Sequence, residues 1–317
     1  MRVRALVAGV MLSVLLAGCG GGGDDSGGNR SEGGGEGDSE EVSPFTGEET
    51  GTGPVLAVKV DNAPQARPQV GLGDADIVYA EQVEAGLSRF LVIFSGTLPD
   101  EVGPVRSARQ SDLELLRQFG TPALAYSGVQ SALQPELDDA RLIQLTPGMA
   151  PEAYERLEDR EAPHNLFGRP KELLAAAPDA SDAADIGFRF GDAPASGGTD
   201  TSEETVSFPA ASFGFSWSAD DGHWKVSLDG DETDLTPATV VIQHVSITQS
   251  EFHDSSGAFT PLTRTTGEGT ALVLRDGKAY EGRWSRPDAD SGTTFTTPDG
   301  EPLRFATGQV WVLLTEG

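Results

Sequence analysis

The apolar and polar positions divide the chain into three textures. The first is a short apolar run from Ala5 to Leu16, preceded by Arg2 and Arg4 and closed by Leu16-Ala17-Gly18-Cys19. A positive start, an apolar stretch shorter than the ~20 residues a spanning helix needs, and small residues before a cleavage point together predict an exported leader over residues 1–18. The second texture, from Gly20 to about Thr52, is rich in Gly, Ser, Asp and Glu, with Arg30 its only base. So little apolar surface cannot offset the entropy of ordering, and a disordered tether is expected over residues 19–52.

The third texture begins after Pro54. Val55–Val60, Asp76–Val83 and Phe90–Phe94 are apolar, β-branched runs bounded by Gly, Pro and Asp, which read as strands. Ser111–Phe119 reads as a helix, with Ser111 as N-cap, Glu114 completing a capping box and Gly120 as the stop. Leu124–Tyr126 and Leu142–Leu145 are further strands, and Pro170–Ala177 a short helix with proline at its first position. Strands mixed with helices predict a mixed α/β domain over residues 53–190. The small, polar stretch Ala193–Glu204 reads as a linker. Beyond it, short runs at close spacing (Phe213–Trp217, His223–Leu228, Thr239–Val245, Thr270–Leu274, Ala279–Trp284, Thr293–Thr296 and Gln309–Leu314) meet turns at Asp221-Gly222, Asp276-Gly277 and Asp299-Gly300. The fold class expected is therefore an α+β or mixed α/β N-terminal domain followed by an all-β antiparallel domain over residues 205–317, a meander or small barrel.

Cysteine usage and charge sharpen the picture. Cys19 is the only cysteine, so lipidation there leaves no thiol for a disulfide, and stability must come from core burial. Two or more acyl chains hold a protein firmly at a membrane, which predicts a cell-membrane anchor on the extracytoplasmic face. The chain has 22 Lys plus Arg against 50 Asp plus Glu; removal of residues 1–18 takes Arg2 and Arg4 and leaves 20 against 50, a net −30. Such a surface repels nucleic acid and anionic headgroups. The partners expected are the membrane, through the lipid, and a cell-wall component or envelope protein.

The densest polar constellation lies between residues 61 and 112. Asp61-Asn62 closes the first strand, Arg67 follows in a loop, Glu81 and Glu84 end the second strand, Arg89 opens the third, and Arg106 and Arg109 precede Asp112. Arginines gathered beyond strand ends could hold a carboxylate or phosphate bidentately. They could equally pair with the carboxylates to fix loops. His164-Asn165 after Pro163 joins the rim as a possible base or turn cap. His223, His244 and His253 lack the close pairing of a zinc site, and Asp229, Asp231 and Asp234 lack the glycine and glutamate of a calcium loop. No nucleophile elbow, phosphate-binding loop or dinucleotide fingerprint is present, so no metal or cofactor is expected.

Several short motifs in fixed order carry a family resemblance. Pro44-Phe45-Thr46-Gly47, Val60-Asp61-Asn62, Ala66-Arg67-Pro68-Gln69 with Gly71-Leu72, Ala75-Asp76-Ile77-Val78-Tyr79, Glu84, Arg89-Phe90, Gly103 to Arg109, Pro163-His164-Asn165, Gly282-x-Trp284 and Gly308-Gln309-x-Trp311 resemble the YerB-like family of bacterial surface lipoproteins. Ala85, where that family is expected to carry glycine, is a departure. The resemblance implies the anchor and the paired domains, described as of unknown function, and implies no reaction. The first expectation is a ligand-binding or accessory module at the envelope, its site formed by Asp61, Asn62, Arg67, Glu84, Arg89, Arg106 and Arg109 with His164 and Asn165 on the rim. A glycan-directed hydrolase using Glu81 or Glu84 with Asp61, and a scaffold for other envelope proteins, are the alternatives.

Overall fold

The central strands show no polar–apolar alternation because both faces of their sheet are covered. The computed structural model describes residues 42–253 and 257–317; the leader, Cys19 and residues 20–41 of the tether lie outside the described residues. Strands β1 (Leu56–Asp61), β2 (Ile77–Gln82) and β3 (Ser88–Phe94) are buried almost throughout. The short strands β4 (Ala123–Ala125) and β5 (Ile143–Leu145) run parallel beside β1. A two-stranded ribbon of β6 (Tyr154–Arg156) and β7 (Leu166–Gly168) stands apart.

The C-terminal region is largely β, as expected. The strand β8 (Gly198–Asp200) lies inside the segment read as a linker. Strands β9 (Glu203–Phe208), β10 (Ala211–Ser218), β11 (His223–Leu228) and β12 (Asp231–Glu232) form a small antiparallel meander. Asp229-Gly230 joins its last two strands with both φ angles positive, at 53° and 91°. Such a turn matches the right-handed twist of the strands it connects. The remaining strands are β13 (Thr239–His253), β14 (Phe259–Arg264), β15 (Gly267–Arg275), β16 (Lys278–Arg286), β17 (Thr294–Thr296) and β18 (Val310–Glu316). They enter a twelve-stranded sheet of order β17-β16-β15-β13-β18-β2-β3-β1-β4-β5, with β14 on β13 and β8 on β16.

The C-terminal strands thus depart from a self-contained antiparallel unit or closed barrel. The last strand, β18, lies parallel to both β13 and β2 and joins the two halves of the chain in one open sheet. Val310 to Leu314 are apolar on both faces and fully covered, and an interior position in a two-faced sheet supplies that cover. On one face Val58, Val78, Phe90 and Trp311 pack against Phe213, Phe215 and Trp224 of the meander. On the other, Ala57, Tyr79, Leu91 and Val312 pack against Leu115, Leu116 and Phe119. No helix among the described residues is long and apolar enough to cross a membrane.

Three short helices lie over the sheet: α1 (Gln110–Leu116), α2 (Gln134–Asp139) and α3 (Pro170–Ala175). The first begins earlier than expected. Asp112, not Glu114, supplies the capping carboxylate, accepting from the Arg109 N–H at 2.7 Å. Ser111 and Glu114 are committed elsewhere: Ser111 Oγ accepts from the Thr263 N–H at 3.0 Å, and Glu114 Oε1 from those of Thr265 and Thr266 at 2.7 and 3.1 Å. These bonds tie α1 to the strand β14 and to the two residues that follow it. The body also starts earlier than residue 53, for Phe45 is fully buried, edge-on to Phe119 at 5.4 Å.

Candidate functional site

The polar cluster begins with strand register. Asp61 lies opposite Arg89, and Arg89 opposite Glu81, so β1, β3 and β2 present three charged residues in a row. Directly opposed residues have Cβ atoms about 4.5–5.5 Å apart. Lys59 and Tyr79, each opposite Leu91, form the next row toward the core. Since β1, β2, β4, β5 and β18 all run one way, the row sits at their carboxyl ends, where open sheets leave a crevice.

The segment leading into α1 closes over this row. Arg106 is pinned by its N–H to the Lys59 carbonyl at 2.8 Å, and Val105 bridges to Val60. Lys59 is fully buried and its Nζ contacts Glu81 Oε1 and, at 2.8 Å, Asp112 Oδ1. Burial pushes the Glu81 carboxyl up to about 7, against the pull of Lys59. Arg106 Nε lies 2.9 Å from Asp61 Oδ2, although its N–H is not directed along that contact. The same oxygen meets His164 Nδ1 at 2.8 Å. Arg109 grips Glu84 Oε2 through Nε at 3.1 Å and Nη2 at 2.7 Å, while Thr260 of β14 donates to Glu84 Oε1 at 2.6 Å. Burial alone would raise Glu84; the Arg109 hydrogen bonds and charge, with Thr260, outweigh it and hold the carboxyl below its ordinary value.

Arg89 is the exception. It is 8 % exposed, donates through Nη1 to the Ser107 carbonyl at 3.1 Å, and has no carboxylate within ion-pair distance among the described residues. Its Nε has no hydrogen-bond partner there. Burial, and then the positive charges of Arg109 and Arg106, bring its pKa down to about 10. A buried cation beside two others is costly unless an anion offsets it.

The remaining expected residues divide. Asn62 is buried and structural: its Nδ2 donates to Ser88 Oγ at 2.9 Å and its Oδ1 accepts from Arg67 Nε and Gln69 Nε2 at 3.2 and 2.8 Å. Arg67 turns from the cluster to the meander, reaching the Leu228 carbonyl at 3.2 Å and Asp229 Oδ2 at 2.8 Å. Asn165 is spent on the ribbon, accepting from Arg156 Nη1 at 2.7 Å, so only His164 of that pair reaches Asp61. The loops carrying Arg67, Arg106 and His164 each contain a cis X-Pro bond, at Pro68, Pro104 and Pro163. Lys59 and Thr260 were missed: a lone lysine in an apolar strand was the available signal for the first, and nothing local marks the second. No cluster of three or more metal-ligating side chains occurs among the described residues.

A cavity of about 330 Å3 opens beside this layer, where Arg109, Glu84 and Ser107 meet the loop of Val129 to Leu133 and the end of the β13–β14 ribbon.

Residues 44–184 match the N-terminal domain and residues 205–312 the C-terminal domain of a family described as protein of unknown function, DUF3048. The protein named putative lipoprotein YerB of Bacillus subtilis is 26% identical over 277 residues, covering 81% of this chain and 80% of that one. The crystal structure of the YerB protein from Bacillus subtilis aligns with a TM-score of 0.73 at 22% identity, covering 87% of this chain and 97% of that chain, a likeness of fold.

Proposed function

The chain belongs to the DUF3048 family, and from that premise we propose that it is a lipid-anchored envelope protein whose folded body binds an anionic group over Arg89, Arg106 and Arg109. The anchor is supported by the leader ending at Cys19 and by the relative's name as a putative lipoprotein. A Gly-rich tether of some 25 to 30 residues would reach on the order of 30 Å, a range that favours a cell-wall component or envelope protein as the ligand.

One observation carries the anion reading. Arg106 and Arg109 each have a carboxylate within ion-pair distance and Lys59 has two, whereas among the described residues Arg89 has none that close, feels Asp61 and Glu84 only at longer range, and sits beside two like charges. A carboxylate or phosphate bound there would supply the direct, bidentate contact that Arg89 lacks. Bond-breaking is less well supported: Glu84 has both oxygens engaged, Glu81 is sealed at 1 % exposure, and Asp61 is shared between Arg106 and His164. A scaffold reading wants a broad apolar patch, and among the described residues of the C-terminal region Phe259 is the exposed large hydrophobic.

The test is thermal unfolding of the full chain in detergent, titrated with inorganic phosphate or citrate at constant ionic strength. At ten times Kd a ligand stabilises by about 1.4 kcal/mol, which raises Tm by a few degrees in the wild type. Arg89→Gln should lose that response while remaining folded. Equal responses from the two proteins overturn the assignment. For the anchor, Cys19→Ser should move the protein from the membrane fraction to the medium; unchanged fractionation removes it.

A further inference from the structure

A second cavity, of about 920 Å3, opens at the far edge of the twelve-stranded sheet, where the outer side of β16 is incompletely covered. The strand β8 pairs with Lys278 to Tyr280 and β17 with Arg283 to Ser285, so Glu281 lies in the gap between them. Four carboxylates line the cavity, those of Asp192, Glu281, Asp299 and Glu301, and none has an ion-pair or hydrogen-bond partner among the described residues. One cation lines it with them, Arg304, whose Nη1 donates to the Phe190 carbonyl at 3.1 Å; Lys278 nearby is held by Asp200 of β8. Exposed carboxylates are ordinary on so acidic a chain, but the tyrosine among them is not.

Tyr280 is 4 % exposed, and its hydroxyl has no hydrogen-bond partner among the described residues. Unlike sealed orphans such as Trp224 Nε1 and Thr263 Oγ1, that hydroxyl keeps solvent-accessible surface, and Tyr280 lines the cavity. Gly198, opposite it on β8, makes this possible: a Cβ there would lie 2.6 Å from Tyr280 Cζ and 2.9 Å from the hydroxyl oxygen. A buried tyrosine usually places its hydroxyl on a partner, so one left open in a cavity calls for a partner from outside.

The lining narrows that partner. The carboxylates do not converge on one point, for no group of three or more metal-ligating side chains occurs among the described residues, so they suit positive charges spaced along a chain rather than a single metal ion. Leu272, Ala279, Pro298 and Pro302 add apolar surface, which fits aliphatic stems. The volume is near the upper end for ligand pockets, enough for several residues of extended peptide. We propose that this cavity binds a peptide segment bearing lysine-type side chains, whose ammonium groups meet the four carboxylates and one of which donates to the Tyr280 hydroxyl. The site shares no residue with the arginine cluster.

The experiment is calorimetric titration of the full chain in neutral detergent, at physiological ionic strength, with the capped peptide acetyl-Lys-Ala-Lys-Ala-Lys-amide and with the same peptide acetylated on its side chains. The lysine peptide should bind saturably and the acetylated one should not. Tyr280→Phe, which keeps the ring, should weaken binding about tenfold, the loss of one hydrogen bond to a charged group. Glu281→Gln/Asp299→Asn should weaken it about fivefold. Asp231→Asn/Asp234→Asn, which removes as much charge from β12 and the turn after it, should change it less than about twofold, since salt screens distant charges. Each variant should melt as the wild type does, because the hydroxyl loses no partner and the carboxylates are exposed. No binding by the wild type, equal binding of the acetylated peptide, an unaffected Tyr280→Phe, equal weakening by the two double variants, or a lowered Tm for Tyr280→Phe overturns the assignment.

Discussion

Lys59 provides the sharpest test of how the charge layer is held. It is fully buried in the middle of β1, with carboxylates of Glu81 and Asp112 that are themselves sealed from solvent. Replacing Lys59 with Met keeps the chain's volume and apolar stem but leaves two buried carboxylates without their cation. Breaking a buried pair in this way costs about 3–5 kcal/mol, a large part of the 5–15 kcal/mol that stabilises a typical domain. Asp112 keeps one partner, the Arg109 N–H, so Glu81 carries most of the loss. The pH dependence follows from the sign of its shift. The folded-state pKa of Glu81 is raised to about 7 from 4.5, so the folded protein holds a proton that the unfolded chain releases, and stability falls as pH rises between those values. Without Lys59 the shift goes further upward. The deficit of Lys59→Met relative to wild type should then grow from pH 6 to pH 8.5, and adding Glu81→Gln should recover part of it. Urea unfolding followed by tryptophan fluorescence at three pH values measures this directly. A deficit below about 1 kcal/mol, or one that stays flat across that range, would refute the claim that Lys59 offsets two buried carboxylates.

Other outcomes follow from the same structure. Trp311→Ala, which removes a fully buried ring lying 5.5 Å from Phe90 and 6.2 Å from Phe215, should cost about 3–5 kcal/mol in urea unfolding. Gly292→Ala would put a Cβ 2.2 Å from the Ile186 carbonyl carbon, a clash with backbone that cannot be relieved by a rotamer change; a Tm within one or two degrees of wild type would contradict it. Glu84 is held below its usual pKa, so its contribution is present above about pH 4.5 and is lost as pH falls through the lower folded value; Glu84→Gln should flatten the acid limb of the stability profile. Asp61→Asn removes the carboxylate facing both Arg106 and His164, and should strengthen phosphate binding at the cluster if the fold survives, as read by the same thermal titration.

Much of the fold was legible from local pattern. The strands β1, β2, β3, β11 and β18 fall within a residue or two of the apolar runs that announced them, since a run of β-branched residues ended by Gly, Pro or Asp specifies its own conformation. The Asp-Gly hairpin at residues 276 and 277 was equally plain, with φ of 50° and 69° in the structure. What misled was chemistry that a helix cap and a tertiary contact both want: Ser111 and Glu114 have the spacing of a capping box and are used by Thr263 of β14 and by Thr265 just after it instead.

The candidate site was legible by residue type and not by role. Arg67, Arg89, Arg106 and Arg109 stand out in the sequence alike, yet Arg67 belongs to the meander, Arg106 and Arg109 have carboxylates, and only Arg89 lacks one among the described residues. Strand conformation and turn chemistry depend on neighbours a few positions away, so the sequence by itself determined them. Which carboxylate meets which arginine depends on register across three strands, on α1 folded over them, and on Thr260, 176 residues from Glu84. Those distances are set by how β18 is inserted between β13 and β2, and only the tertiary structure decided them, because a charge is neutralised by what lies beside it in space and burial removes the water that would otherwise make every pairing nearly equivalent.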